Sequence, residues 1–457
     1  MGELSTSDAV VFDGLFPKLV VARFDQPDSS SDAGAVLLRA LDERLGLTQA
    51  MAGALIDRRS ADRVRHSLHD VLRQRIYGIA CGYEDNNDAA RLRHDPAQKL
   101  LLDRDPLAGS ALASQPTLSR FENGVSAREL VRLGLTLAER VIERHRRRLG
   151  RRVKRITIDL DGTDDPTHGQ QQGALWNGHY GGFCYLPLVG TLQFDREREQ
   201  HLFAALLRPG NASARSGAIA LLRRVLPRLR MAFPQARLRV RLDGGFAAPD
   251  VFDFLEREGV EYVVAMGSNA VLARLAEPLL QRAREASSAS GESERVYGHA
   301  PYQAKTWPHA RRVIIKGEVT RYPDREPRDN PRYVITNIPA DPQVVYHRIY
   351  AQRGDVENRL KELHDGIAFD RLSCTRFLAN QARLLLYAAA FVLYQELRHA
   401  ARGTDLARAQ VSALRERLIK LAGWFERAKR HIVLHLPQEA PWRHEWTRIA
   451  NRLQATV

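Results

Sequence analysis

Between Arg155 and Asp161 the apolar residues change their period, and that change limits the folds open to the chain. Ile156, Ile158 and Leu160 alternate with Thr157, Asp159 and Asp161. A period of two predicts a β-strand whose two faces differ in chemistry. The preceding segment follows another rule. After a short extended start, Val36, Leu37, Leu41 and Leu45 recur at helical spacing, as do Val64, Leu68, Val71 and Leu72. Asp95-Pro96, Asp105-Pro106 and Gln115-Pro116 divide this region into short helices. A helical region therefore feeds a strand that carries two carboxylates on one face. The 457 residues suffice for several domains and at least one large core.

More strands are expected over 183–189 and 201–207, then a helix over 218–232. Leu238, Val240 and Leu242 alternate again and deliver Asp243, followed by Gly244-Gly245. A helix over 250–258 leads into an apolar strand at 262–266. Three strands, a helix, a strand, a helix and a strand suit an α/β, RNase H-like core better than a dinucleotide-binding one. No glycine-rich phosphate fingerprint follows the first strand. Residues 269–342 read as a β-rich insertion, with a polar, Ser-rich piece at 286–294 and short strands at 312–316 and 333–336. Long helices are expected from there to the end, clearest at 349–363 and 380–400.

Charge narrows the partners. Lys+Arg 69 against Asp+Glu 54 leaves +15, and most of the cations are Arg. The planar guanidinium suits phosphate, so nucleic acid leads the partner classes, although an Arg-rich source composition gives the same balance. The run 144–155 (RHRRRLGRRVKR) is either a solvated helix face with its linker or a surface for a DNA backbone. Residues 116–123 suit the entry of a DNA-reading helix or, equally, an ordinary capped helix. Cys81, Cys184 and Cys374 are far apart and form no CxxC pair, so neither a disulfide framework nor a zinc site is indicated. A reducing cytoplasm is the expected compartment. The N-terminus lacks a signal-peptide pattern. The apolar run 384–393 is too short to span a bilayer, so a buried helix and no membrane partner are expected.

Three carboxylates stand where metal-assisted phosphoryl chemistry needs them: Asp161 and Asp243 at strand ends, Glu357 on a later helix. Hard divalent ions prefer oxygen ligands, and paired ions serve both the attacking and the leaving oxygen of an in-line displacement. Isolated acids prove little, because 54 acidic residues supply many such triplets.

The surrounding motifs single these three out. Residues 158–172 (IDLDGTDDPTHGQQQ) resemble the first-strand motif of DDE transposases of bacterial insertion sequences, and 241–246 (RLDGGF) resemble their second motif. Residues 350–359 (YAQRGDVENR) match the Y-x2-R-x3-E signature of one branch, which also carries a β-rich insertion before the Glu. Residues 66–75 (HSLHDVLRQR) and 82–88 (GYEDNND) are similar to the same group, so the likeness spans nearly the whole chain. The resemblance implies that Asp161, Asp243 and Glu357 are catalytic and hold two Mg2+ ions, with Mn2+ able to substitute. It implies that Tyr350 and Arg353 contact the DNA backbone. A Lys often follows the Glu by seven positions, but His364 stands there; Lys361, one turn after Glu357, is the candidate substitute.

The implied organisation is a helical DNA-binding region (1–150), the first part of the core (151–268), the insertion (269–342), the second part with the Glu helix (343–400), and a helical C-terminal region (401–457). The implied partners are double-stranded DNA, as terminal inverted repeats and target, and a second copy forming a homodimer on paired ends. Two other readings stay open: a catalytically inactive repeat-binding protein, and an RNase H-like nuclease without strand transfer. Several residues have alternatives. Arg353 either meets phosphate or pairs with Glu357 one turn away; Asp159 assists a metal or serves the local structure; His168 and Gln170–Gln172 cap a loop or touch DNA; Trp307 stacks on a displaced base or packs locally.

Overall fold

The computed structural model describes residues 9–323 and 325–454. Its centre is a mixed nine-stranded sheet. In chain order its strands are β1 (Arg155–Gly162), β2 (Leu188–Phe194), β3 (His201–Leu206), β4 (Arg237–Leu242), β5 (Glu261–Met266), β6 (Glu294–Tyr302), β7 (Arg311–Tyr322), β8 (Arg325–Asp329) and β9 (Arg332–Thr336). They lie side by side as β6-β7-β9-β5-β4-β1-β2-β3, with β8 added to β7. β1, β4 and β5 run parallel, while β2 pairs antiparallel with β1 and β3 antiparallel with β2. Parallel neighbours need crossovers, and helices provide them here. The helices that bear on the site are α1 (Gln115–Gly124), α2 (Ala127–Leu149), α3 (Ala218–Ala232), α4 (Pro249–Arg257), α5 (Ala270–Ser290), α6 (Gly354–Ile367) and α7 (Phe377–Ala400).

β1 is buried from Ile156 to Asp161, so both its apolar and its acidic face are covered. One continuous apolar core runs from Leu37 through the sheet to Leu453. α7 lies in it: by length and composition it could cross a membrane, but 89% of its most apolar stretch is buried inside the protein. Burial of that run as a helix agrees with expectation; at 24 residues the helix is longer than the apolar run suggested. Glu122 of α1 is fully buried and accepts hydrogen bonds from Arg75 (2.8 Å), Asn86 (2.9 Å) and Arg383 of α7 (2.8 Å). This network ties the N-terminal helices to α7.

Several expected elements differ. Val64 lies outside the helix it was grouped with, which starts at Leu68 behind a capping box made by Ser67 and Asp70. The stretch 183–189 is two strands: Gly182–Tyr185 belongs to a small separate sheet, and β2 begins after Pro187, whose missing N–H breaks the ladder. The Ser-rich piece 286–294 is helical as far as Ser290, the end of α5, because Asn269 caps that helix and Leu272, Ala276, Leu280 and Ala283 bury one face at helical spacing. The strands of 269–342 form no sheet of their own; β9 pairs with β5 and extends the central one. Residues 349–363 are not one helix: a π-helical segment (Val344–Tyr350) and a 3₁₀ turn (Ala351–Arg353) precede α6. The C-terminal region is not wholly helical either. Strands Gly423–Arg427 and Ile432–His435 form a hairpin that pairs with Ser29–Ser30.

Candidate active site

The parallel register of β1 and β4 creates the site. Arg241 is the partner of Asp159 across the two strands. Two residues further along each chain, Asp161 and Asp243 reach the same level at the carboxyl ends of adjacent parallel strands. Asp161 is buried and its Oδ1 accepts the Gly162 N–H at 3.0 Å. Asp243 caps a short 3₁₀ turn, accepting the Gly245 N–H at 2.8 Å, and remains partly exposed.

Arg353 lies between the two acids. One guanidinium nitrogen is 2.7 Å from Asp161 Oδ1 and 3.6 Å from Asp243 Oδ2, so both carboxylates converge on one positive point. The expected alternatives for Arg353 are phosphate contact and an ion pair with Glu357; instead it meets the two aspartates, from the end of a 3₁₀ turn that follows a π-helical segment. Tyr350, half-buried beside Arg353, has its phenol pushed up by burial.

Glu357 is exposed in the first turn of α6, whose Val356, Leu360, Leu363 and Ile367 face the core. It is close enough to act on Asp161. Burial pushes Asp161 up to about 6; Arg353 opposes that, while the charges of Asp243 and Glu357 add to it. Lys361 is exposed on α6 and has no ion-pair partner among the described residues. Among those residues no three His, Cys, Asp or Glu side chains form a ready metal cage. The structure thus brings Asp161 and Asp243 together and leaves Glu357 beside them. The donors still suit a hard cation: they are carboxylate oxygens only, and two already converge on a positive charge.

Neighbouring residues take definite roles. Asp159, 1% exposed, is held by Arg241 through two short bonds (2.7 and 2.6 Å) and also accepts from Gln200 at 3.1 Å. Arg241 in turn donates to the carbonyl of Ile349 at 3.0 Å and so fixes the segment that leads to Arg353. His364 bonds Thr163 at 2.9 Å and lies 3.5 Å from Asp370, which joins α6 to the end of β1. Gln171 and Gln172 tie their loop to residues near the start of α7, a structural role. Trp307 is 5% exposed and packs edge-on against Phe252 and Tyr302, so it is a core residue.

Arg208 escaped the sequence reading. It is buried behind the acids and donates to the carbonyls of Leu186 (2.6 Å), Ser213 (3.2 Å) and Ala214 (2.5 Å). Burial lowers it to about 10, while Asp243 and Asp161 favour its charge. Its only sequence signal was a lone Arg straight after an apolar strand. Gly162 leaves room for it: a Cβ there would come within 2.8 Å of its guanidinium. Because backbone carbonyls hold Arg208, it has little freedom to yield. Gly162→Ala is therefore expected to cost ~1–3 kcal/mol, the usual range for overpacking, read as an earlier thermal melt. An unchanged melt would mean that Arg208 is loosely held.

A family model for the transposase DDE domain, group 1, matches residues 12–457. The chain belongs to that family of transposases. No curated protein matches the chain. Among solved structures it is similar to a cryo-EM structure of a piggyBac transposase synaptic complex with hairpin DNA, at 11% identity over 84% of this chain and 79% of that one, with a TM-score of 0.42.

Proposed function

We propose that this transposase nicks DNA at the terminal inverted repeats of a bacterial insertion sequence and joins the freed 3′-hydroxyls to target DNA, acting in the cytoplasm as a homodimer on paired ends. The observation that carries the reading is the convergence of Asp161 and Asp243 from adjacent parallel strands, with Glu357 beside them. The order β3-β2-β1-β4-β5, antiparallel then parallel, supports an RNase H-like core for residues 151–268 and 343–400. Asp161, Asp243 and Glu357 would hold two Mg2+ ions, or Mn2+ in their place. When bound, such ions stabilise the attacking and the leaving oxygen of phosphoryl transfer.

The chain's own side chains do the rest. β1 and β4 hold the two aspartates rigidly, since Asp159 and Arg241 lock the strands one step below. Arg353 serves as counter-charge to the acids in the free protein. A DNA phosphate competes for its guanidinium, and Tyr350 and Lys361 stand on the same segment and helix to meet the backbone. At an effective dielectric of ~20, unit charges ~4 Å apart interact by ~4 kcal/mol. Arg353→Ala is therefore expected to tighten Mn2+ binding to the free protein by on the order of tenfold or more, while weakening cleavage. Unchanged affinity would show that Arg353 does not compete with a cation.

The reaction itself is tested with purified protein, a duplex ending in the element's own repeat, a target plasmid and Mg2+. Nicked and joined products are expected. Binding without nicking would leave a repeat-binding protein, and nicking without joining a nuclease.

A further inference from the structure

A cleft of about 570 Å3 opens between the irregular segment after Leu55 and the start of α1. Its charge is one-sided. Arg58, Arg59, Arg63, Arg65, Arg93 and Arg120 line it, against Asp57 and Glu129. Arg58 pairs with Glu129 at 3.0 Å and Arg59 with Asp57 at 2.6 Å. Arg63 meets Asp62 only at 3.8 Å, with both side chains largely exposed. Among the described residues, Arg65, Arg93 and Arg120 have no carboxylate in ion-pairing range, and Arg65 and Arg120 are exposed. Half-buried His66 at the cleft wall is pushed down first by desolvation, then by Arg104, with Arg59 and Arg93 adding to it. Positive charge with no carboxylate partner thus faces the cleft from both sides.

The cleft is also built. Glu129, almost fully buried, accepts the Ile56 N–H at 2.9 Å and the Arg58 guanidinium, and closes the capping box of α2 with Ser126. One carboxylate therefore fixes the arginine segment to a 23-residue helix. Opposite, ten-residue α1 presents its first turn: Ser114 and Thr117 line the cleft, and the Ser114 side chain caps no backbone N–H. The Ser114 and Thr117 hydroxyls beside unpaired guanidiniums suit phosphate oxygens. Three unpaired and three paired arginines spread along a cleft of this size exceed what a single small anion engages.

We infer that this cleft clamps the phosphate backbone of duplex DNA, independently of base sequence and apart from the Asp161–Asp243 site, with which it shares no residue. The choice of DNA rests on membership of the transposase family and not on the metal-site reading. Residues 116–123, ambiguous in the sequence, thereby gain a role: their helix forms one wall, with Thr117, Arg120 and Phe121 toward the cleft and Leu118 and Glu122 toward the core.

The test is anisotropy of a labelled duplex lacking any element end, in EDTA, across a salt series. Each phosphate contact contributes ~0.9 to the slope of log K against log salt. The double variant Arg65→Ala/Arg120→Ala is expected to lower that slope by about two and to weaken binding equally for unrelated sequences. Arg120→Gln alone should lower it by about one and serves if the double variant melts early. The assay contains no divalent metal and no element end, so its outcome is separate from that of the catalytic reading. An unchanged slope in the arginine variants would overturn the inference. So would a loss confined to one sequence, or wild-type protein preferring duplex RNA.

Discussion

Asp243→Asn is expected to abolish DNA cleavage while leaving DNA binding close to wild type. The substitution keeps the shape and the hydrogen bond from Gly245 but removes one charge from a site that needs several. Deleting one preorganised electrostatic group in an active site costs ~10²–10³-fold in rate; a lost ligand to a shared ion should cost at least that. Binding should survive, since Asp243 repels phosphate and contributes no donor to it. Nicking by purified variant, followed on a gel beside a binding titration, checks both halves. Retained cleavage would move the metal site away from the end of β4. Binding lost together with cleavage would instead point to a folding defect, visible in the melt.

The second large effect concerns stability. Asp159 sits two residues before Asp161 on the same strand face, yet it is committed to Arg241, which is 2% exposed. Asp159→Ala leaves that guanidinium buried with no counter-ion, held only by the Ile349 carbonyl and the Gln193 side chain. Breaking one half of a buried pair typically costs ~3–5 kcal/mol. Replacing both partners, as in Asp159→Leu with Arg241→Met, should recover much of the loss, because the cost lies in the orphaned charge. Urea unfolding followed by tryptophan fluorescence reads the difference. Were Asp159 a metal ligand, the alanine variant would lose cleavage with little change in stability.

These two acids also show how far the sequence could lead. Alternation correctly placed Asp159 and Asp161 on one face of a strand and Asp243 at the end of another. It could not separate the structural acid from the candidate catalytic one, because that depends on which strand lies alongside and in what register. The clue was present but needed pairing: Arg241 precedes Asp243 by the same two residues that separate Asp159 from Asp161. Motif spacing selected Glu357 and its helix, but an unbroken helix was assumed before it. A π turn and a 3₁₀ turn are invisible to apolar periodicity, and Arg353 ends the second of them. α5 was concealed for a different reason, since its alanines and serines give a weak apolar stripe. Arg208 had no motif at all; only the chain reversal after β3 carries it behind the acids.

The central claim is that Asp161, Asp243 and Glu357 jointly hold the ions that cut DNA. Manganese bound to the protein–DNA complex, counted by electron paramagnetic resonance, tests it most directly. The account predicts about two tightly held ions in the wild type, and fewer in each of Asp161→Asn, Asp243→Asn and Glu357→Gln, with DNA still bound. Equal manganese occupancy in the wild type and all three variants would contradict it.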